Sequence, residues 1–177
     1  MVRLILVVCH GNIHRSVVAE IYIRKNLREL GLEEKFRVAS RGLQGSCQTA
    51  MPKFPNLRQY SLEWGNAEPS LRDLEIEIPE TQIATPIDES VASEASLILA
   101  MDQQVLSGFP KYCLVEQFPE LSFKMKLFSE MAGDVADVPD CAGHTTTEVY
   151  RQANVAIHST AKAGIQKMCQ LAKILNP

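Results

Sequence analysis

Cys9-His10-Gly11-Asn12-Ile13-His14-Arg15-Ser16 sets a thiol six residues ahead of a guanidinium, with a glycine and an asparagine between them. A cysteine is a potent nucleophile once ionised, and the planar fork of an arginine matches two oxygens of a phosphate. Gly11 and Asn12 tolerate the left-handed backbone conformations that a tight loop around an anion needs. These residue types at this spacing suit the capture of a phosphate or similar oxyanion next to a nucleophile.

The elements on either side decide whether the loop can do this. Arg3-Leu4-Ile5-Leu6-Val7-Val8 is a short β-branched and apolar run, which reads as a strand buried on both faces, the kind found in parallel sheets. After the loop the period changes: Ala19, Ile23, Leu27 and Leu30 recur at helical spacing and Gly31 follows as a stop, so residues 16–30 read as a helix. A loop between the carboxyl end of a strand and the start of a helix aims free backbone N–H groups and the positive end of the helix dipole at one point. The same donors stabilise a thiolate at Cys9.

Further strands are expected at residues 36–39 and 95–101, and a more exposed one at residues 123–128, where the pattern alternates. Val149, Ala153, Ile157, Ala161, Gly164, Met168, Leu171 and Leu175 form one stripe of a long closing helix. Residues 44–89 are broken up by Pro52, Pro55, Pro69, Pro79 and Pro86 and show no sustained period. Within them, residues 74–78 alternate like a short strand, and Thr85-Pro86 ahead of Asp88-Glu89 resembles a helix start with proline in its first position. No repeat, linker or block of like charge divides the 177 residues, so residues 1–177 are expected to form a single α/β domain of three layers.

Eighteen basic side chains against 21 acidic ones give a net charge of −3, without the basic footprint that nucleic acid requires. No apolar run approaches the length of a membrane helix, and the apolar start is too short for a secretion signal. The five cysteines (Cys9, Cys47, Cys113, Cys141, Cys169) are scattered without a Cys-x-x-Cys, which argues against a disulfide framework or a zinc site and for a cytoplasmic location. No spacing implies a metal or an organic cofactor. His144 and His158 read as structural or exposed.

Val7-Val8-Cys9-His10-Gly11-Asn12-Ile13-His14-Arg15-Ser16, with Ala19-Glu20 after it, resembles the low-molecular-weight protein tyrosine phosphatase family, whose pattern reads Cys-x-Gly-Asn-x-Cys-Arg-Ser. Leu97-Ile98-Leu99-Ala100-Met101-Asp102 and Asp137-Val138-Pro139-Asp140 are similar to further family segments, in the right order. The resemblance implies a four-stranded parallel sheet with flavodoxin-like winding (the phosphotyrosine protein phosphatase I-like fold) and hydrolysis through a phosphocysteine. By position, Cys9 is then the nucleophile, Arg15 the phosphate clamp and Asp140 the general acid. His10, Gly11, Asn12, Ile13, His14 and Ser16 form the substrate-binding loop, in which Ser16 hydrogen-bonds the thiolate and Asn12 holds the shape. The implied substrate is a phosphorylated protein, phosphotyrosine foremost, or a small phosphomonoester, handled by a monomer or weak dimer.

The chain departs from the family pattern at several points. His14 replaces the second cysteine, and Asp140 precedes Cys141-Ala142-Gly143 where the family places Asp-Pro followed by aromatic or glycine residues. Asp137 therefore competes with Asp140 as the acid. The aromatic wall must come from elsewhere, with Phe54, Tyr60, Trp64 and Tyr112 as candidates against a role in ordinary packing. Cys141 is weighed as an oxidative partner of Cys9 against simple packing, and Arg41, within Ser40-Arg41-Gly42-Leu43, as a second anion contact against a solvated side chain. Two other functions stay open on the same scaffold: an arsenate reductase, and a non-catalytic protein that binds a phosphorylated ligand.

Overall fold

A computed structural model describes residues 2–134 and 136–175 of the chain. Its centre is a sheet of four parallel strands, β1 (Arg3–Cys9), β2 (Phe36–Gly42), β3 (Ala95–Ala100) and β4 (Met125–Leu127), in the order β2-β1-β3-β4. Side chains alternate along a strand, so Ile5, Val7 and Cys9 enter one apolar cluster and Leu4, Leu6 and Val8 the other. Helices α1 (Arg15–Glu29), α2 (Ser61–Asp73) and α5 (Thr147–Ile174) pack on the first face, while α3 (Glu89–Glu94) and α4 (Leu114–Gln117) lie with the second. The chain leaves β1 toward β2 and returns on the opposite side to β3, so the carboxyl end of β1 opens at a switch point, the usual place for a ligand in such sheets.

β2 is longer than the expected 36–39, because its pairing with β1 continues to Cys9 opposite Gly42. A Cβ on Gly42 would lie 2.8 Å from the Gly11 carbonyl carbon and 2.9 Å from the Asn12 nitrogen, so only glycine lets the strand end approach the loop this closely. β4 is shorter and less exposed than its alternation suggests. Residues Pro119–Lys124 form a 3-10 turn, Met125 and Leu127 are buried, and the Lys124 ammonium is drawn inward to donate to the Ser93 and Ala95 carbonyls at 3.0 and 2.7 Å.

The proline-rich segment contains α2, which the sequence pattern concealed: Pro69 sits inside the helix and α2 keeps its course by packing on α5. The expected strand at 74–78 is absent. Glu75 turns with φ of 56°, and Ile76 and Ile78 are buried from an irregular stretch. Pro86 does not open a helix either. It is extended and bridges Gly42, while Asp88 caps α3 through a 2.9 Å bond from the Val91 N–H. Among the described residues no helix is long and apolar enough to cross a membrane.

Candidate active site

The loop between β1 and α1 wraps the Cys9 thiol. The Asn12 backbone N–H donates to Cys9 Sγ at 3.2 Å, and Ser16 Oγ lies 3.0 Å from the same sulfur. Asn12 takes φ of 54°, the left-handed conformation that asparagine tolerates, and its side chain ties the loop to three neighbours. Its Nδ2 donates to Ser16 Oγ at 3.1 Å and to Ser40 Oγ at 2.9 Å, and its Oδ1 accepts from the Thr85 N–H at 2.9 Å. Asn12 and Ser16 thus stand behind the loop, both buried.

In front of the loop is a pocket of about 160 Å³. Cys9, His10, Gly11, Ile13, His14, Arg15 and Asp140 all line it, which gathers residues that the sequence separates by more than a hundred positions. The Arg15 guanidinium is buried. One of its nitrogens donates to Asp102 and, at 3.2 Å, to the Val138 carbonyl, and the other lies 3.3 Å from Asp140 Oδ2. Burial works against the charge of Arg15, but Cys9, Asp140 and Asp102 outweigh it and raise its pKa. Asp137 does not line the pocket; its carboxylate accepts from the Gln103 N–H at 2.9 Å.

His14 is turned inward. Its Nε2 lies 2.8 Å from Asn154 Oδ1 on α5, and the Asn154 amide in turn donates to Ser70 Oγ on α2 at 2.8 Å. Burial lowers the His14 pKa to about 4 against the pull of Asn154. His10 is also lowered by burial, with Asp140 opposing and Arg15 assisting, and its ring stacks on Phe109 at 4.9 Å. Cys141 lines the same pocket, but burial pushes its thiol up to about 12, and its sulfur contacts the Pro139 and Val149 carbonyls.

Of the aromatic candidates, Tyr60 lines the pocket, its hydroxyl accepting from the Phe54 N–H at 2.9 Å, and Phe54 packs edge-on against it. Trp64 lies outside under Arg58, and Tyr112 stacks on Phe109. Arg41 is turned to the Ser40 carbonyl and lines a groove along β2 instead. His158 packs edge-on against Tyr22. Gln44, Leu57, Glu63 and Tyr150 also line the pocket, with Ala142 and Gly143, and nothing local in the sequence marks the first four, since they come from a proline-broken segment and from the first turn of a regular helix. Asp102 was visible only as the end of the third strand. Among the described residues no group of three or more His, Cys, Asp or Glu side chains is placed to hold a metal ion.

A thiol inside a loop at a sheet switch point, with a guanidinium and an aspartate carboxyl lining the same pocket, is the equipment of a cysteine-based phosphatase. The sequence profile of the low molecular weight phosphotyrosine protein phosphatase family matches residues 4–163, and the chain belongs to that family. Its fold is similar to that of the low molecular weight protein tyrosine phosphatase from T. tengcongensis, at 27% identity and TM-score 0.71 over 93% of this chain and 99% of that one. It is likewise similar in fold to a low molecular weight phosphotyrosine phosphatase from Vibrio cholerae O395 (24% identity, TM-score 0.71, 93% and 95% covered). The YwlE arginine phosphatase from Geobacillus stearothermophilus is a third such structure (23% identity, TM-score 0.70, 99% and 97% covered). No curated protein sequence matches the chain.

Proposed function

We propose that the chain hydrolyses phosphorylated protein residues, phosphotyrosine foremost, through a phosphocysteine formed on Cys9. The observation that carries this reading is the convergence on one pocket of the Cys9 sulfur, held by the Asn12 N–H and Ser16, with Arg15 and Asp140. The phosphoryl oxygens occupy the loop and Arg15, which the buried Asp102 anchors from behind. Cys9 Sγ attacks phosphorus in line as the bond to the leaving oxygen breaks, and Asp140 gives that oxygen its proton. Water then attacks the phosphocysteine, Asp140 takes the water's proton, and the thiolate leaves with the electron pair of the broken P–S bond. The loop supplies charge stabilisation and alignment, which carry most of the catalysis in a loose phosphoryl transfer.

Asp140 is favoured over Asp137 as the acid because it lines the pocket beside Arg15, while Asp137 is engaged with Gln103. Ile13, Leu57, Tyr60 and Tyr150 give the pocket apolar and aromatic walls suited to an aryl group. The test is hydrolysis of para-nitrophenyl phosphate, without added metal and under reductant, by the native chain, Cys9→Ser and Asp140→Asn. Native turnover, its loss in Cys9→Ser, and a slowing of about 10²–10⁴-fold in Asp140→Asn are expected. A folded, reduced native chain that is inert refutes the reading.

A further inference from the structure

We propose that the outer half of the pocket is a cation subsite, in which the Glu63 carboxylate beside the Tyr150 hydroxyl takes an N–H-bearing positive group that the substrate carries next to its phosphoryl group. This rests on the phosphatase reading and deepens it by naming the substrate chemistry. Glu63 stands in the first turn of α2, half-buried, and lines the same pocket as Cys9 and Arg15. Among the described residues it enters no ion pair, and unlike the surface glutamates that share this property it lines the pocket. The cation nearest in sequence, Arg58, is turned away: its guanidinium lies over the Trp64 ring at 4.4 Å and its Nε donates to the Ile78 carbonyl at 2.8 Å. A first-turn acid favours a helix wherever it faces. That effect does not account for a glutamate lining a site meant for an anion.

The charge balance of the lining makes the same point. Arg15 is the one permanent cation in the described wall, and the buried Asp102 already pairs with it. Burial holds His10 and His14 toward their neutral forms. A substrate that is only a phosphate dianion therefore meets a wall with acid to spare, and an unmatched Glu63 repels it. A phosphate with a cation attached satisfies both ends.

Tyr150 supplies an independent sign that something polar belongs there. It is 1% exposed, lines the pocket, and its hydroxyl is buried without a hydrogen-bond partner among the described residues. Buried hydroxyls without a partner are rare, and this one lies within the field of Glu63, which, after burial itself, is the largest influence holding it protonated. A tyrosine hydroxyl both donates and accepts. Its oxygen can accept from an N–H of a ligand whose positive charge faces Glu63. Two sources offer that chemistry: a guanidinium that itself bears the phosphoryl group, or an arginine or lysine next to a phosphotyrosine.

The experiment measures ratios within each protein preparation, so that partial unfolding of a variant cancels. One arm compares phosphotyrosine peptides flanked by arginine with the same peptides flanked by glutamate; the other compares a phosphoarginine peptide with a phosphotyrosine peptide of neutral flanks. Substrates are presented to the native chain, Glu63→Gln and Tyr150→Phe. The native kcat/KM is expected to favour the cationic member of at least one pair by tenfold or more, and the preference to shrink with added salt. Glu63→Gln should lower that ratio about tenfold and Tyr150→Phe about threefold, and the arm that responds identifies the source. Ratios that are the same in native and Glu63→Gln protein in both arms, or a native preference for glutamate flanks, overturn the proposal. Binding of the labelled peptides to Cys9→Ser protein, with and without Glu63→Gln, reads the same ratios without turnover. Absence of hydrolysis then overturns the phosphatase reading, while the binding ratio still decides the subsite.

Discussion

His14 gives the fold a measurable dependence on pH. Its ring is buried, Nε2 lies 2.8 Å from Asn154 Oδ1, and Nδ1 is buried without a partner among the described residues. The Asn154 amide nitrogen is committed to Ser70, so Oδ1 is the acceptor and Nε2 carries the hydrogen of a neutral ring. Protonation would place an N–H without an acceptor and a second positive charge near Arg15. The folded pKa of about 4 lies below the ordinary 6.5, so within that interval the unfolded chain binds a proton that the folded chain refuses. The contribution to stability is therefore whole above about pH 6.5, falls as the pH drops, and levels off below about pH 4. A gap of about 2.5 pH units at about 1.4 kcal/mol each amounts to about 3 kcal/mol. The comparison is with His14→Gln, which keeps a donor for Asn154 and does not titrate. Urea unfolding of both proteins between pH 7.5 and pH 4, followed by circular dichroism under reductant, isolates His14, because distant carboxylates contribute alike to both. The native protein is expected to lose about 3 kcal/mol more than the variant across that range. A difference that stays flat to within about 1 kcal/mol refutes the buried neutral histidine.

Other perturbations test the packing and the support of the site. Asp102→Asn leaves the buried Arg15 guanidinium without its strongest partner and is expected to cost about 3–5 kcal/mol in urea unfolding, together with a fall in kcat/KM for an aryl phosphate; unchanged stability would show that Val138 and Asp140 suffice. In α5, a Cβ on Gly164 meets Met131 Cβ at 2.6 Å and the Met131 carbonyl carbon at 2.9 Å, so Gly164→Ala sets a clash of about 1–3 kcal/mol against a helix-propensity gain of about 1 and should lower Tm. Gly65→Ala in α2 meets nothing within 4 Å and should raise stability by about 0.5–1 kcal/mol, a control in the opposite direction measured the same way.

The readable parts of the chain were those whose signal is local. β1, α1 and α5 follow from runs and periods in which neighbours along the sequence share one environment, and their observed bounds lie within a few residues of the expected ones. α2 was hidden because five prolines erase the helical period in residues 44–89, although packing against α5 carries the helix through Pro69. The alternation at 74–78 resembled a strand because Ile76 and Ile78 are buried, but burial from a turn gives the same letters as burial from a sheet. Lys124 misled in the other direction, since a lysine reads as solvent-facing while its ammonium is held inside by two backbone carbonyls.

The loop between β1 and α1, with its thiol and its arginine, was legible in the sequence alone, because a strand, a glycine-containing turn and a helix start follow one another in one continuous stretch. What faces that loop was decided by tertiary structure. Asp140 rather than Asp137 reaches the pocket, Asp102 anchors Arg15, His14 is turned to Asn154, and Glu63 and Tyr150 close the far wall. Those residues come from α2, α5, the end of β3 and the loop ahead of α5, and their side chains meet only once the sheet order and the helix packing have brought elements distant in sequence onto one side of the carboxyl end of β1.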